Sequence, residues 1–178
     1  CKNCPKASKV ISDLVTAYGQ DRIIGLAIHG RPSSFTAVNS DYPIDFTTPE
    51  GKAIQNFFWG NSPPLPIGML NRENWTTSGT GHLTGREAWP TLSAEAVDST
   101  LRIALEASAG VNNGNLEVSA QGLPQMGLLH DLNIAVLIKE SNIVSPQLIP
   151  DDTRDSNYVH MNVLRDYVTD TWGESFGT

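Results

Sequence analysis

Two cysteines stand at the start of the chain, in the sequence Cys1-Lys2-Asn3-Cys4-Pro5, and the chain has no others. Directly after them, apolar residues recur with the 3.6-residue period of a helix, so the pair is predicted to lie at a helix N-terminus. That end of a helix carries partial positive charge and unpaired N–H groups, which stabilise a thiolate. A C-x-x-C pair in this position is typical of thiol–disulfide exchange sites.

The two thiols are predicted to have different roles. We expect Cys1 to be the more exposed thiol and the attacking group, with its pKa lowered by the helix N-terminus and by the positive charge of Lys2. Cys4 would then resolve the mixed disulfide that Cys1 forms with a substrate. Cys1 and Cys4 are therefore the candidate catalytic residues, and Lys2 is the candidate residue that tunes the thiolate.

Three other interpretations of the cysteine pair stay open. A structural disulfide needs only an oxidising compartment. Cys1 could instead carry a lipid as the first residue of a bacterial lipoprotein. A zinc site wants four ligands, and the only other soft ligands are single, scattered histidines (His29, His82, His130 and His160). We predict no metal site and no cofactor.

Composition limits the function classes. The 178 residues carry a formal net charge of −7, so nucleic acid and anionic membrane surfaces are poor partners. The longest apolar runs, such as residues 134–138, are far too short for a membrane span. The 15 glycines and 11 prolines indicate many turns, as in proteins with much β structure.

The spacing of apolar residues differs between residues 1–99 and residues 100–178. In the first part, the continuous apolar run 23–28 is typical of a strand covered on both faces, as in a parallel sheet. Thr48-Pro49-Glu50 is a helix start, followed by Ala53, Ile54, Phe57 and Phe58 as its predicted buried face. A last short helix is expected over residues 92–99.

From Thr100 onward the apolar residues alternate with polar ones. The segments 101–105, 116–118 and 132–138 show this period of two, and turn residues separate them. Half-buried antiparallel strands give such a pattern, and several in series favour a β-sandwich. We therefore predict a domain boundary near residue 99 or 100.

The order of three features in the first part resembles a thioredoxin-like domain. These are the C-x-x-C pair at a helix start, the apolar strand after that helix, and the proline of Leu65-Pro66-Ile67. In thioredoxin-like proteins the proline is cis and faces the dithiol, and the preceding residue offers backbone groups to an extended substrate. The resemblance implies that Pro66 is cis and that Leu65 and Pro66 bind the substrate; an ordinary turn proline is the alternative.

Several short motifs, in their order, resemble the twenty-eight-kilodalton outer-membrane lipoprotein family of Gram-negative bacteria. They are Cys4-Pro5-Lys6-Ala7, Ile28-His29-Gly30, Thr47-Thr48-Pro49-Glu50-Gly51, Pro66-Ile67-Gly68-Met69-Leu70-Asn71-Arg72, Ile138-Lys139-Glu140-Ser141-Asn142-Ile143-Val144 and His160-Met161-Asn162-Val163-Leu164-Arg165. The resemblance implies a thioredoxin-like domain over residues 1–99 and an immunoglobulin-like β domain over residues 100–178. It also implies a location in the bacterial cell envelope, at the outer membrane, with a lipid anchor upstream of Cys1.

The chain departs from that pattern in three respects. The first central strand of a thioredoxin-like fold would precede Cys1, where this sequence has no residues, and we expect it to be missing. The residues between the cysteines are Lys-Asn, not the Gly-Pro of thioredoxin, which should favour the reduced form. The second part offers three or four strands against about seven in a full sandwich, so we expect a partial domain.

Two functions from different classes follow. One is thiol–disulfide exchange with protein thiols or disulfides as partners. The other is a non-enzymatic surface protein, an adhesion or assembly module with envelope protein partners, in which the thioredoxin-like domain is a scaffold. His29, at the end of the strand 23–28, could tune a nearby thiol or simply cap a loop.

Overall fold

The computed structural model describes residues 1–30, 36–60, 63–75, 81–125, 127 and 132–176. Within these residues the chain forms three helices, α1 (Cys4–Tyr18), α2 (Pro49–Phe58) and α3 (Trp89–Asp98), followed by ten strands. The strands are β1 (Ile103–Asn112), β2 (Asn115–Pro124), β3 (Leu132–Ile134), β4 (Leu137–Glu140), β5 (Ile143–Val144), β6 (Gln147–Leu148), β7 (Arg154–Asp155), β8 (Val159–His160), β9 (Val163–Tyr167) and β10 (Glu174–Phe176). The chain is thus mixed α/β with a β-rich second part, as predicted.

Helix α1 forms where the apolar period predicts it. It ends at Gly19, whose φ of 90° suits a residue without a side chain and whose N–H donates to the Val15 carbonyl at 2.9 Å. Ala7 and Leu14 are buried on its inner face. They pack with Trp89, the first residue of α3, into one buried cluster.

Helix α2 starts with the cap that the sequence predicts. The Thr48 hydroxyl oxygen accepts the Gly51 N–H at 3.0 Å, and Pro49 occupies the first helical position. Ile54 is buried as expected. Phe57 was expected on the buried face but is 72 % exposed. It lies near the helix end, where its ring contacts only the rings of Phe58 and Trp172 among the described aromatic pairs.

The strand predicted over residues 23–28 pairs with a distant part of the chain. Ala27 forms a parallel bridge with Val163 of β9, through its N–H to the Asn162 carbonyl at 2.7 Å and its carbonyl to the Leu164 N–H at 3.0 Å. The expected coverage on both faces is wrong at Ile24, which is 74 % exposed. Only the end of the apolar run reaches the sheet, and Ile24 precedes it.

A second buried cluster joins residues from both sides of position 99. Ile54 of α2 packs with Leu164 and Tyr167 of β9, and Leu26 and Leu137 lie against them. Strand β4 pairs with β9 in antiparallel fashion, so that β9 lies between β4 and the segment at Ala27. This packing links the two predicted domains, and the boundary near residue 99 stays a prediction.

The strands of the second part pair two by two. The described pairs are β1 with β2, β3 with β10, β4 with β9, β5 with β8, and β6 with β7, all antiparallel. The antiparallel prediction is confirmed, and the sandwich with immunoglobulin-like topology stays a prediction. The expected half-burial is wrong for β1, where Leu105 and Val111 are 70 % and 78 % exposed. In the described ranges, no helix is both long and apolar enough to cross a bilayer.

Candidate thiol site

Both cysteines lie at the N-terminal end of α1, as the sequence predicts. Asn3 occupies the cap position, the helix begins at Cys4, and the Cys4 N–H donates to the Cys1 carbonyl at 3.2 Å. Both thiols are half-buried, and no disulfide joins them. Cys4 thus lies in the first turn of the helix, and Cys1 lies three residues before it, next to the positive end of the helix.

Burial raises the pKa of the Cys4 thiol, and the positive charges of the N-terminal amino group and, less strongly, of Arg86 act in the opposite direction. Arg86 lies in the turn before α3 and also forms an ion pair with Glu87 at 3.0 Å. A thiol with a raised pKa stays protonated until a step in the reaction deprotonates it. This property fits the resolving role predicted for Cys4.

The sequence did not single out Arg86. It lies in a polar stretch between two short elements, where a cation is ordinary. The sequence feature that could have indicated Arg86 is its position just before Trp89, since Trp89 packs on Ala7 one turn inside α1. Because Trp89 contacts Ala7, Arg86, three residues before Trp89, is brought close to the start of α1.

Lys2 is bound to another part of the chain. Its ammonium group contacts both carboxylate oxygens of Asp152, at 2.8 and 3.0 Å. Close by, the Gln147 side-chain amide donates to the Cys1 carbonyl at 2.9 Å. The start of α1 is therefore fastened to the β6–β7 hairpin, and an effect of Lys2 on the Cys1 thiol stays a prediction.

The Leu65–Pro66 peptide bond is cis, which confirms the expected isomer. Two residues later, Gly68 pairs with Thr84 through backbone hydrogen bonds of 3.0 and 2.8 Å. Gly68 also lies against Trp89, whose ring would be 2.5 Å from a Cβ at that position. The segment after Pro66 therefore requires a glycine for its close approach to α3.

The segment after Pro66 and the start of α1 meet at one cluster. Leu70 packs against the same buried group, of Ala7, Leu14 and Trp89, that anchors α1. The fold thus brings the elements that carry Cys4 and Pro66 onto a common support. The substrate-binding role of Leu65 and Pro66 stays a prediction.

Two histidines, half-buried His29 and buried His160, lie on either side of an aromatic ring. The ring of Phe46 lies between His29 and His160, at centroid distances of 5.2 and 4.8 Å. Burial, and then the charge of His160, lower the pKa of His29 to about 4. Burial also lowers the pKa of His160, whose Nε2 lies 3.2 Å from the Ser145 carbonyl. Both imidazoles are therefore held neutral, and a tuning effect of His29 on a thiol stays a prediction.

The zinc alternative gains no support from the described residues. Within them, no three or more His, Cys, Asp or Glu side chains are placed together to hold a metal ion. His82 packs near Phe58, and His130 lies outside the described residues. The site that the geometry offers is a pair of thiols at a helix N-terminus, with a guanidinium group nearby.

Comparisons of the chain with protein-family models, with curated proteins and with solved structures gave no match.

Proposed function

We propose that this protein exchanges thiols and disulfides through Cys1 and Cys4. The observation that carries the proposal is the pair of thiols at the N-terminal end of α1, which no disulfide joins, with Cys4 partly buried and within the electrostatic influence of Arg86. A helix N-terminus stabilises an attacking thiolate, and burial keeps the second thiol protonated until it is needed. The two positions therefore differ in the way that the two steps of exchange require.

The reaction has two balanced steps. The Cys1 thiolate attacks one sulfur of a substrate disulfide, forms a mixed disulfide and releases the other substrate sulfur as a thiolate, which takes up a proton. Cys4 then loses its proton and attacks the Cys1 sulfur, which releases the second substrate thiol. Two electrons pass from the dithiol to the substrate, and Cys1 and Cys4 become a disulfide. A thiol reductant must restore the dithiol for a further cycle.

We place this activity in the bacterial cell envelope, on a lipid-anchored outer-membrane protein. Support comes from the order of the family motifs and from the mixed α/β fold with a β-rich second part. In this proposal, residues 1–99 form the thioredoxin-like part and Leu65 and Pro66 receive an extended substrate. Residues 100–178 then belong to an immunoglobulin-like β domain.

Insulin reduction in the presence of dithiothreitol tests the proposal. We expect the unmodified protein to accelerate insulin precipitation and Cys1→Ser to lose the acceleration. Ser8→Ala is the matched control, since Ser8 is an exposed residue on the same helix. Equal, uncatalysed rates for all three proteins would refute the activity, and so would a Cys1 thiol that titrates near the ordinary pKa of about 8.5.

A non-enzymatic surface role is the second candidate. The specific observation in its favour is the fastening of the first residues to the β6–β7 hairpin, through Lys2 to Asp152 and Gln147 to the Cys1 carbonyl. Contacts of this kind suit a segment with a structural function. If Cys1→Ser and Cys4→Ser leave stability unchanged and the parent protein lacks reductase activity, the scaffold interpretation is the correct one.

A further inference from the structure

Two short backbone segments, 23–28 and 67–70, lie in the same layer of the fold. Each contributes apolar side chains to both buried clusters, the one at α1 and α3 and the one at α2. The contributions to the first cluster are Ile23 and Leu70, and those to the second are Leu26, Ile28 and Met69. Both segments therefore have α1 and α3 on one face and α2 on the other.

Two glycines show how closely the helices α1 and α3 approach this layer. A Cβ at Gly25 would lie 2.5 Å from a side-chain atom of Ile11 in α1, and a Cβ at Gly68 would lie 2.5 Å from the ring of Trp89 in α3. Their neighbours Leu26 and Met69 contact the cluster at α2 instead. This alternation is that of extended strands covered on both faces.

Each segment is hydrogen-bonded along one edge. Ala27 directs its backbone N–H and C=O to β9, and Gly68 directs both groups to Thr84. In an extended chain, the backbone groups of successive residues point to opposite edges. The residues on either side of Ala27 and Gly68, here called the open-edge residues, therefore point away from those partners; they are Leu26, Ile28, Ile67 and Met69.

The backbone groups of the open-edge residues are unpaired. Among the residues that the structure describes, none donates to or accepts from the main-chain N–H or C=O of these four. All four residues are half-buried. Backbone groups in such positions require hydrogen-bond partners, and an unpaired strand edge is a template for another strand.

The two open edges face each other. The cluster at α1 and α3 takes apolar residues from segments 23–28 and 67–70, and none from β4 or β9 within the described ranges. Segment 23–28 therefore lies between β9 and segment 67–70. Across the layer the order is β4, β9, segment 23–28, segment 67–70 and Thr84, and no described backbone hydrogen bond joins the third member to the fourth.

We propose that an extended apolar segment of a partner polypeptide binds between these two edges and completes the sheet. A polypeptide backbone offers donors and acceptors that alternate with the repeat of a strand, as both edges require. Because helices cover both faces of the layer, the bound segment is apolar on both faces and uncharged. Each of the ten strands of this chain is already paired elsewhere.

The exposure of Ile24 agrees with this occupant. It belongs to the apolar run 23–28, yet it is 74 % exposed. A strand beside Leu26 and Ile28 would extend along the same edge and cover part of the Ile24 side chain. The apolar run then has the buried surroundings that its sequence indicates.

Other occupants fit the edges less well. Lipid chains have no hydrogen-bonding groups, and a small ligand lacks the strand repeat. A second copy of this chain carries the same net charge of −7, which opposes the approach of the two bodies. Neither cysteine takes part, so the proposal is independent of thiol exchange.

Hydrogen exchange of the full chain, followed by NMR, tests the proposal. The probe is an acetylated peptide of six alternating valines and isoleucines, with two lysines at each end for solubility. We expect it to slow the exchange of the N–H groups of the open-edge residues by about tenfold or more. The control peptide has proline at the third apolar position, where it removes a backbone donor, and should give no protection.

A pair of matched variants locates the binding. Ile24 and Leu105 are both exposed apolar residues, and only Ile24 lies beside the open edges. We expect Ile24→Thr to raise the dissociation constant of the peptide about threefold or more, through lost apolar contact, and Leu105→Thr to leave it unchanged. Calorimetric titration measures both constants, and circular dichroism verifies that both variants are folded.

Four results would overturn the proposal. They are unchanged exchange at about 1 mM peptide, equal protection by the proline peptide, equal dissociation constants for the two variants, and protection that rises with protein concentration alone, which would assign the edges to a second copy. Cys1→Ser and Cys4→Ser should bind the peptide like the parent protein, so a failure of this proposal and a failure of thiol exchange are distinguishable.

Discussion

The end of α1 and the β1–β2 ribbon show the same chain using apolar residues in opposite ways. At α1, Ala7 and Leu14 meet Trp89, and the helix is held against the body of the protein. On the ribbon, an equally regular apolar row lies in water. A periodic pattern therefore fixes which face of an element is apolar, but the tertiary structure decides what covers that face.

The largest difference between the two regions should appear when a leucine is replaced by alanine in the core and on the ribbon. Leu164 is 1 % exposed, whereas Leu105 is 70 % exposed. We expect Leu164→Ala to lower the free energy of unfolding by about 2–5 kcal/mol through lost burial and a residual cavity. Leu105→Ala should change it by less than about 0.5 kcal/mol. Urea denaturation measures both, and equal losses would contradict the exposed position of the ribbon.

Acid should destabilise the body of the protein through the buried histidines. The pKa of His29 is about 4 when folded, against an ordinary 6.5, so the unfolded chain binds the proton more tightly. The stabilisation is therefore complete above pH 6.5 and is lost as the pH falls from 6.5 to 4, by about 3 kcal/mol. Urea denaturation at intervals over this range measures the loss.

His29→Gln is the matched variant for the acid effect, because it keeps a polar side chain but does not titrate. We expect its stability to fall less steeply over the same pH range. A variant whose stability follows the parent protein at every pH would show that another group is responsible.

Alkylation should separate the two cysteines. Burial raises the pKa of Cys4, so less of it is thiolate at neutral pH, and Cys1 is expected to react faster with iodoacetamide. Mass spectrometry of the peptides measures the two rates. Arg86→Gln removes one of the positive charges that oppose the effect of burial, and should slow the labelling of Cys4 further. Faster labelling of Cys4 than of Cys1 would contradict the assigned roles.

The smallest effect concerns Lys2. Its ion pair with Asp152 is exposed on both sides, so Lys2→Gln should cost no more than about 1 kcal/mol of stability. If Lys2 tunes the Cys1 thiol, Lys2→Gln raises the pKa of Cys1 and Asp152→Asn lowers it. Titration of the thiol at low salt measures both, and unchanged values would assign Lys2 a purely structural role.

Features of the fold that depend on residues close together in the sequence could be predicted. The helix start at Thr48-Pro49, the glycine end of α1 and the alternation along β1 and β2 all depend on neighbouring residues. The cis bond before Pro66 was expected from a resemblance in motif order. These features form the framework of the fold and place the two thiols at the helix N-terminus.

Features that depend on distant partners were not predictable. Lys2 forms an ion pair with Asp152, and Ala27 forms a backbone bridge with Val163. The residues next to Lys2 and Ala27 in the sequence do not indicate either partner. The charge of Arg86 near Cys4 arises from helix packing. The same limit explains Ile24, whose apolar run indicated a covered strand although that residue lies in solvent.

The parallel pairing of Ala27 with Val163 also constrains the order in which the molecule assembles. During synthesis, the segment at Ala27 leaves the ribosome long before Val163 has been added to the chain. Until then, the backbone groups of Ala27 that pair with β9 have no strand partner. Contacts between such distant residues make folding slow. Translation of nearly the whole described chain must therefore precede completion of the central sheet, and a polypeptide released before β9 would lack its middle strand.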